Sequence, residues 1–440
     1  MLLAACAEDP VVPDRGALSG FEVRLVAPVE PGSPAFPLPF TTMPLEVELD
    51  IIARDRRGER MRGFDGEVRL TSVPGRIAEA ERTVRLVEGR GSARVGLQYT
   101  YGDTRIWVQE QAPEGEMSSF GLGISPPLFF AEPRVRNVRF NPDNPAGLSP
   151  LFGREARIGE GILMVTNVVA NGFYATDVGD ALPDWSTGRE PRGVGQEPWT
   201  SLFVFTFNFP DGITIGDRLC SLAGGVAEFQ GQTQLTFPNY IIQGVGRVGE
   251  VPDEAFLDPA DPGAPGACAY RTEVDGSLVQ VLPHVLDEAT LGDNTLVRAW
   301  DSALVRIEGG VLSTRFDDCD FDGSGQIEGA DERACRSRCQ RDLTCTEMSS
   351  LRQFDQFSAS VGGIAFEVAD ATRAAGYDPL AGCAPHAGVE GDPDDPPGYR
   401  CGDAGRQLRS VTGSLRLVDL GGVVLRVVIP RFETDLVFAP

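Results

Sequence analysis

Leu219-Cys220-Ser221-Leu222-Ala223-Gly224, an alternating run to the turn at Gly231, and then Leu235-Thr236-Phe237-Pro238 are the residues on which the reading of this chain turns. The pattern returns near the C-terminus as Leu408-Arg409-Ser410-Val411-Thr412-Gly413, a second alternation, Gly421, and Val427-Val428-Ile429-Pro430. Leu, Ser and the first Gly match in register, and the second Gly slips by one residue. Each copy reads as a strand with a glycine kink, a tight turn and a returning strand, the way a small barrel turns a corner. Two copies predict two related small β-barrels.

Working outward, the strand signals continue in both directions. Ile162 to Val169 and Phe173 to Asp177 flank Asn171-Gly172, a strong hairpin signal. Leu202 to Phe209 follows, with Phe203, Phe205, Phe207 and Phe209 on one face. Period-two alternation assigns that stripe to the barrel core, leaving Leu202, Val204, Thr206 and Asn208 outside. Phe173 and Tyr174, just past a turn, are the aromatics expected at the surface. Toward the N-terminus, Pro44 to Ala53 alternates for a long stretch, and short strands recur through Glu67–Leu70, Val84–Val87, Ala93–Leu97 and Thr104–Val108. Such regular spacing predicts a β-sandwich.

Composition bounds the function. The 440 residues predict about three domains. Basic residues number 39 against 64 acidic ones, a net charge of −25, and every basic residue is Arg. A surface so acidic repels phosphate backbones and anionic membrane faces, and it favours solubility and divalent cations. The 42% hydrophobic content is ample for packed cores and excludes a disordered chain.

Local motifs carry the candidate chemistry. Asp320-Phe321-Asp322-Gly323-Ser324-Gly325-Gln326-Ile327-Glu328-Gly329-Ala330-Asp331 resembles an EF-hand calcium loop. Asp320, Asp322 and Ser324 stand at ligand positions 1, 3 and 5, Gly325 at the sharp turn, Gln326 at the carbonyl position, and Glu328 and Asp331 at positions 9 and 12. Hard oxygen ligands two residues apart point alternately at one centre, which implies a structural Ca²⁺. The loop departs from that family in having Asp331 rather than Glu at position 12, and in following a strand (Leu312 to Phe316) instead of a helix. An acidic solvated turn is the plain alternative.

Eight cysteines, Cys220, Cys268, Cys319, Cys335, Cys339, Cys345, Cys383 and Cys401, form an even set without any CxxC knuckle. Disulfides are expected rather than zinc, with Cys220–Cys268 and Cys383–Cys401 as pairs and the remaining four in one local cluster. Cys6, in Leu3-Ala4-Ala5-Cys6, is similar to the lipobox cysteine of bacterial lipoproteins and is the expected lipidation site, although a basic n-region and most of an apolar h-region are absent. Glu8 to Arg15 then reads as a tether.

Two further resemblances shape the domain plan. Ala53 to Gly58 and Gly63 to Leu70 resemble bacterial immunoglobulin-like domains, which implies a spacer without chemistry of its own. Residues 158–245, and again Leu296 onward to the closing Ile429-Pro430-Arg431 and Thr434-Asp435-Leu436-Val437, resemble the OB-fold domains appended to secreted bacterial nucleases. That likeness covers accessory barrels alone and implies no nuclease activity.

The expectation is an all-β chain. Residues 1–19 are a truncated signal with lipobox and tether, 20–125 an Ig-like sandwich and 126–156 a linker. Residues 157–250 are a first OB-like barrel, 251–294 a linker, and 295–440 a second barrel carrying a Cys-rich calcium-loop insert over 317–348. Catalytic residues are not expected: His284 and His386 lie far apart, no GxSxG, HExxH, Walker or Rossmann pattern appears, and Asp392, Asp394 and Asp395 read as a solvated loop. The functional reading is a non-enzymatic exported envelope protein, an outer-membrane lipoprotein held to the membrane through Cys6. It would act as a binding or structural module for an envelope or extracellular ligand. A nucleic-acid-binding partner of an extracellular nuclease and a divergent metal-dependent hydrolase are the alternatives.

Overall fold

The computed structural model describes residues 18–27, 30–40, 42–112, 121–159, 163–178, 195–243, 273–274, 277–278, 281–320, 329–342, 345–348, 351, 355–370, 375, 377–378, 383–388, 398–419 and 424–440. The fold is all-β and divides into two compact units, Met1–Pro133 and Arg134–Pro440.

The first unit contains β1 (Leu18–Ala27), β2 (Leu45–Asp55), β3 (Gly66–Val73), β4 (Arg76–Ile77), β5 (Thr83–Leu86), β6 (Arg90–Gln98), β7 (Gly102–Gln111), β8 (Leu122–Ile124) and β9 (Leu128–Phe130). One sheet runs β1-β2-β6-β4 and the other β5-β3-β7-β8, with β9 also on β7. The alternation in β2 sets the inward face: Val47, Leu49, Ile51 and Ala53 are fully buried. They share one core with Val68 and Leu70 of β3 and Ile106 and Val108 of β7, from the opposite sheet. Two faced sheets around one apolar layer make a sandwich.

The second unit opens with α1 (Val135–Arg139) and β10 (Glu155–Ile158), followed by β11 (Leu163–Val169), β12 (Gly172–Asp177), β13 (Ser201–Phe205), β14 (Arg218–Phe229) and β15 (Gln232–Gln243). Antiparallel pairings join β11 to β12, β12 to β13, β15 to β14 and β14 back to β11, while β13 and β15 run parallel. The five strands therefore close a circuit, the OB-like barrel expected. A two-residue turn at Ala170-Asn171 makes the first hairpin. Gly172 is required there because a Cβ would stand 2.1 Å from the Val204 carbonyl oxygen of β13.

After the short strands β16 (Glu273–Val274) and β17 (Ser277–Leu278), the chain continues through β18 (His284–Leu286), α2 (Glu288–Gly292), α3 (Asn294–Arg298), β19 (Leu304–Glu308) and β20 (Val311–Leu312). Next come β21 (Arg315–Asp317), α4 (Ala330–Arg341), β22 (Cys345–Glu347), β23 (Gln356–Val361) and β24 (Ile364–Ala369). The chain ends with β25 (Ala384–His386), β26 (Gly398–Arg400), β27 (Leu408–Asp419), β28 (Val424–Ile429) and β29 (Leu436–Phe438). The second barrel repeats the circuit of the first. β27 pairs with β19 and β28, β24 runs parallel to β28, and β23 joins β24 to β20. Its first strand is bent at Gly309-Gly310, so that β19 and β20 pair with different neighbours. Val305, Phe357, Phe366, Val368, Leu415 and Val428 fill its core.

The duplicated sequence thus occupies equivalent places, the fourth and fifth strands of each barrel. Its matched glycines have one physical role. A Cβ on Gly224 would meet the Thr236 carbonyl oxygen at 2.9 Å, and one on Gly413 would meet that of Ile429 at 2.4 Å. In both copies the fifth strand crosses the fourth too closely for any side chain. The first copy accommodates the crossing with a bulge, the register of β14 on β15 jumping from Ala223–Asn239 to Gly225–Thr236.

The stretch between sandwich and first barrel, read from sequence as a linker, contains α1, whose Arg139 joins the two barrels. Its guanidinium and the Asp301 carboxylate lie 3.2 Å apart with side chains 2% and 1% exposed. Arg139 also donates to the carbonyls of Ser201 (2.9 Å), Arg298 (3.2 Å) and Asp301. Asp301 Oδ1 accepts from the Leu417 backbone N–H at 3.0 Å and the Gln232 amide at 3.3 Å. Around this pair, the Gln196 amide donates to the Leu304 carbonyl (2.6 Å) and its oxygen accepts from the Leu304 N–H (3.1 Å), imitating a strand neighbour. The Asp419 N–H donates to the Gln230 carbonyl at 2.7 Å, tying the two β-hairpin tips together.

Removing one member of a buried ion pair strands the other charge, at a cost of about 3–5 kcal/mol, whereas replacing both by apolar groups is often neutral. Asp301→Ala is accordingly expected to lower the unfolding free energy of the second unit, read from urea titration, by that order, and Asp301→Leu with Arg139→Met to recover most of the loss. Equal losses in the single and double variants would refute this account.

Candidate functional site

Between the barrels lies a cleft of about 510 Å³. The first barrel contributes the turn joining β11 to β12 (Val169, Ala170, Asn171), Tyr174 of β12, Phe203 of β13, and the turn joining β14 to β15 (Phe229, Gln230). These are its second and third strands and the loops joining its first to second and fourth to fifth strands, the side on which OB-folds hold ligands. The second barrel faces it with Gln356 and Ser358 of β23, Glu367 and Ala369 of β24, and residues of β27 and β28 including Arg416. The insert supplies Arg336 from α4 and Glu347 from β22.

Strand pleating explains this lining. Tyr174 pairs with Phe203 and Phe173 with Val204, so each pair shares a face. Phe173, Ala175, Leu202 and Val204 turn inward and are fully buried. Tyr174 and Phe203 turn to the second barrel, their rings 4.8 Å apart. The expected orientation of the phenylalanine stripe is therefore reversed: Leu202 and Val204 form the core face, while Phe207 and Phe209 stand exposed beyond the strand end. Phe173 and Tyr174, expected at the surface, are both buried. Burial also pushes the Tyr174 phenol well above its ordinary pKa.

The charged lining consists of Arg336, Arg416, Glu347 and Glu367. Arg416 donates to the Gln230 side-chain oxygen at 3.3 Å across the cleft. The buried Nε of Arg336 has no hydrogen-bond partner among the described residues. Glu367 accepts from the Ser358 hydroxyl at 2.8 Å and remains half-buried, with part of its surface open to the cleft. Burial raises its pKa, opposed by hydrogen bonds from Ser358 and Gln356. The arrangement can hold a ligand by contact with the exposed ring of Phe229 on one wall and by donors and acceptors on the other.

Of the candidates from the motifs, Cys339 and Cys345 line the cleft. Cys6, Cys268, Asp322, Ser324, Gln326 and Glu328 fall outside the described residues, and Cys220 lies within β14. Asp320 and Asp331 flank the calcium-like loop, Asp331 in the first turn of α4. Glu332 accepts from the Gly329 N–H at 2.8 Å. Among the described residues, disulfides join Cys319 to Cys335, Cys339 to Cys345, and Cys383 to Cys401. Asp317, Cys339 and Cys345 cluster among the described residues, but both sulfurs are engaged with each other and offer no thiolate to a metal. The two histidines lie in short strands, His284 in β18 and His386 in β25. His284 stacks on Trp300 with centroids 3.4 Å apart, and burial lowers its pKa.

Sequence reasoning missed Arg336, Glu347, Glu367 and Arg416. One signal was present: Gln356 and Ser358 alternate with the core residues Phe357 and Ala359, marking a polar outer face. No family model and no curated protein matches this sequence.

A carboxyl whose folded pKa is raised favours the protonated folded state, so its ionisation opposes folding as pH rises above the ordinary value of 4.5. Glu367→Gln is expected to raise the melting temperature near pH 7 and to lose that advantage near pH 4. A difference independent of pH would contradict the assignment.

Proposed function

We propose that this chain is an exported, lipid-anchored envelope protein whose second unit binds a ligand in the inter-barrel cleft without transforming it, the sandwich serving as spacer. The observation that carries the reading is the coincidence of the cleft with the ligand side of the first OB-like barrel, where aromatic rings face convergent polar groups. Export is supported by the disulfides, which persist in oxidising compartments. Among the described residues no helix is long and apolar enough to cross a membrane. Attachment through an acyl chain on Cys6 is read from the Leu3-Ala4-Ala5-Cys6 motif.

The calcium reading of the Asp320 loop belongs to the same proposal. Its support is the α4 helix beginning at Ala330, as the exiting helix of such a loop would, and the Cys319–Cys335 disulfide that fastens the residue before the loop to that helix. Protein recovered from the membrane fraction is expected to carry acyl mass on Cys6 and to melt lower after chelation than at millimolar calcium. Unmodified Cys6 or an unchanged melting temperature would remove the corresponding part.

For the cleft, a thermal-shift panel of neutral oligosaccharides, oligonucleotides and short peptides tests binding. A ligand at a hundred times its Kd adds about 2.7 kcal/mol, a shift of several degrees. At least one class is expected to stabilise the native protein but not the Arg416→Ala, Glu367→Ala variant. No stabilising class, or equal stabilisation of the variant, refutes the cleft as the site.

A further inference from the structure

An aromatic track leaves the cleft along the outer wall of the first barrel. From Phe203 in the cleft it continues to Phe205, 6.4 Å away between centroids, then to Phe207 at 4.5 Å and Phe237 at 5.0 Å. Phe207 is 52% exposed and Phe237 78%. Both have backbones in the left-handed region, with φ of 67° and 50°. Bulky residues avoid that conformation, and strain of this kind persists where surrounding structure enforces it, often at binding sites. Phe237 owes its position to the β14–β15 bulge, which lifts it out of the ladder and turns it outward.

We propose that the track and cleft together bind a neutral oligosaccharide chain, one end held in the cleft and the following sugars stacked on Phe205, Phe207 and Phe237. The proposal rests on the cleft being the ligand site. Three observations select this class. First, the lining carries two arginines and two glutamates, a balanced set of donors and acceptors suited to uncharged hydroxyls, inside a chain of net charge −25. The buried Nε of Arg336, without a hydrogen-bond partner among the described residues, adds one donor. Second, the apolar C–H faces of sugar rings suit unsubstituted phenyl rings. Nucleic-acid bases would stack as well, but their phosphates require a basic groove rather than one shared with Glu347 and Glu367. Third, an extended peptide binds such folds by adding to an open sheet edge, and the barrel circuit leaves β12 and β13 paired on both sides.

Calorimetric titration with cellohexaose, chitohexaose, maltohexaose and xylohexaose, and with the corresponding mono- and disaccharides, tests the assignment. Hexathymidylate and a neutral hexapeptide complete the set. At least one hexasaccharide is expected to bind, about tenfold or more tightly than its monosaccharide. Phe207→Ala with Phe237→Ala should remove that length dependence without lowering the melting temperature, since both rings are exposed. Glu367→Ala should abolish binding. Failure of every hexasaccharide, or undiminished binding by the double phenylalanine variant, overturns the proposal. If hexathymidylate or the peptide binds instead and Glu367→Ala removes it, the cleft stands and the glycan falls. If nothing binds, both fall. A dimer in light scattering that the double variant dissolves would assign the track to self-association and likewise overturn it.

Discussion

The Arg139–Asp301 pair is the joint on which the second unit depends. Both groups are almost wholly removed from water, and burial pushes each toward its neutral form, Arg139 downward and Asp301 upward in pKa. What opposes that tendency is geometry. Each charge faces the other, the guanidinium donates to three carbonyls, and the carboxylate accepts from a backbone N–H and an amide. Such a joint contributes less to raw stability than an apolar contact of the same size would. What it does define is orientation, because directional bonds on both sides tolerate one docking angle. The cleft exists only at that angle, since its walls come from different barrels.

Within each barrel the governing constraint is closure. The fifth strand must run parallel to the third and antiparallel to the fourth, and Gly224 and Gly413 mark where it crosses close to the fourth. The copies then diverge. The second inserts β21, α4 and β22 between its first and second strands, which brings Arg336 and Glu347 to the cleft. The first keeps a two-residue turn there and instead turns Phe237 outward at its bulge. One wall of the cleft thus becomes polar and the other aromatic, by different elaborations of one circuit.

Alternation made the strands legible, and the Gly-Pro framework made the duplication legible, because both follow from local geometry. The face of β13 was not legible: Leu202 and Val204 are as apolar as Phe203 and Phe205, so period two alone leaves inside and outside undecided. Tyr174 followed a turn and read as exposed, but a second barrel covers it. Arg139 gave no signal at all, for its partner lies 162 positions away in a stretch of unremarkable composition. The cleft residues share that difficulty, since each is ordinary on its own strand and acquires meaning only from the barrel opposite.

That separation of 162 positions also bears on how the molecule is made. A chain emerging N-terminus first completes the strands of its first barrel well before Asp301 appears. During that interval Arg139 has no counter-charge, and Tyr174 and Phe203 face solvent. Contacts so distant in sequence form late, and apolar faces left open meanwhile invite aggregation. The first barrel is therefore a nascent intermediate whose open face needs shielding until its twin arrives.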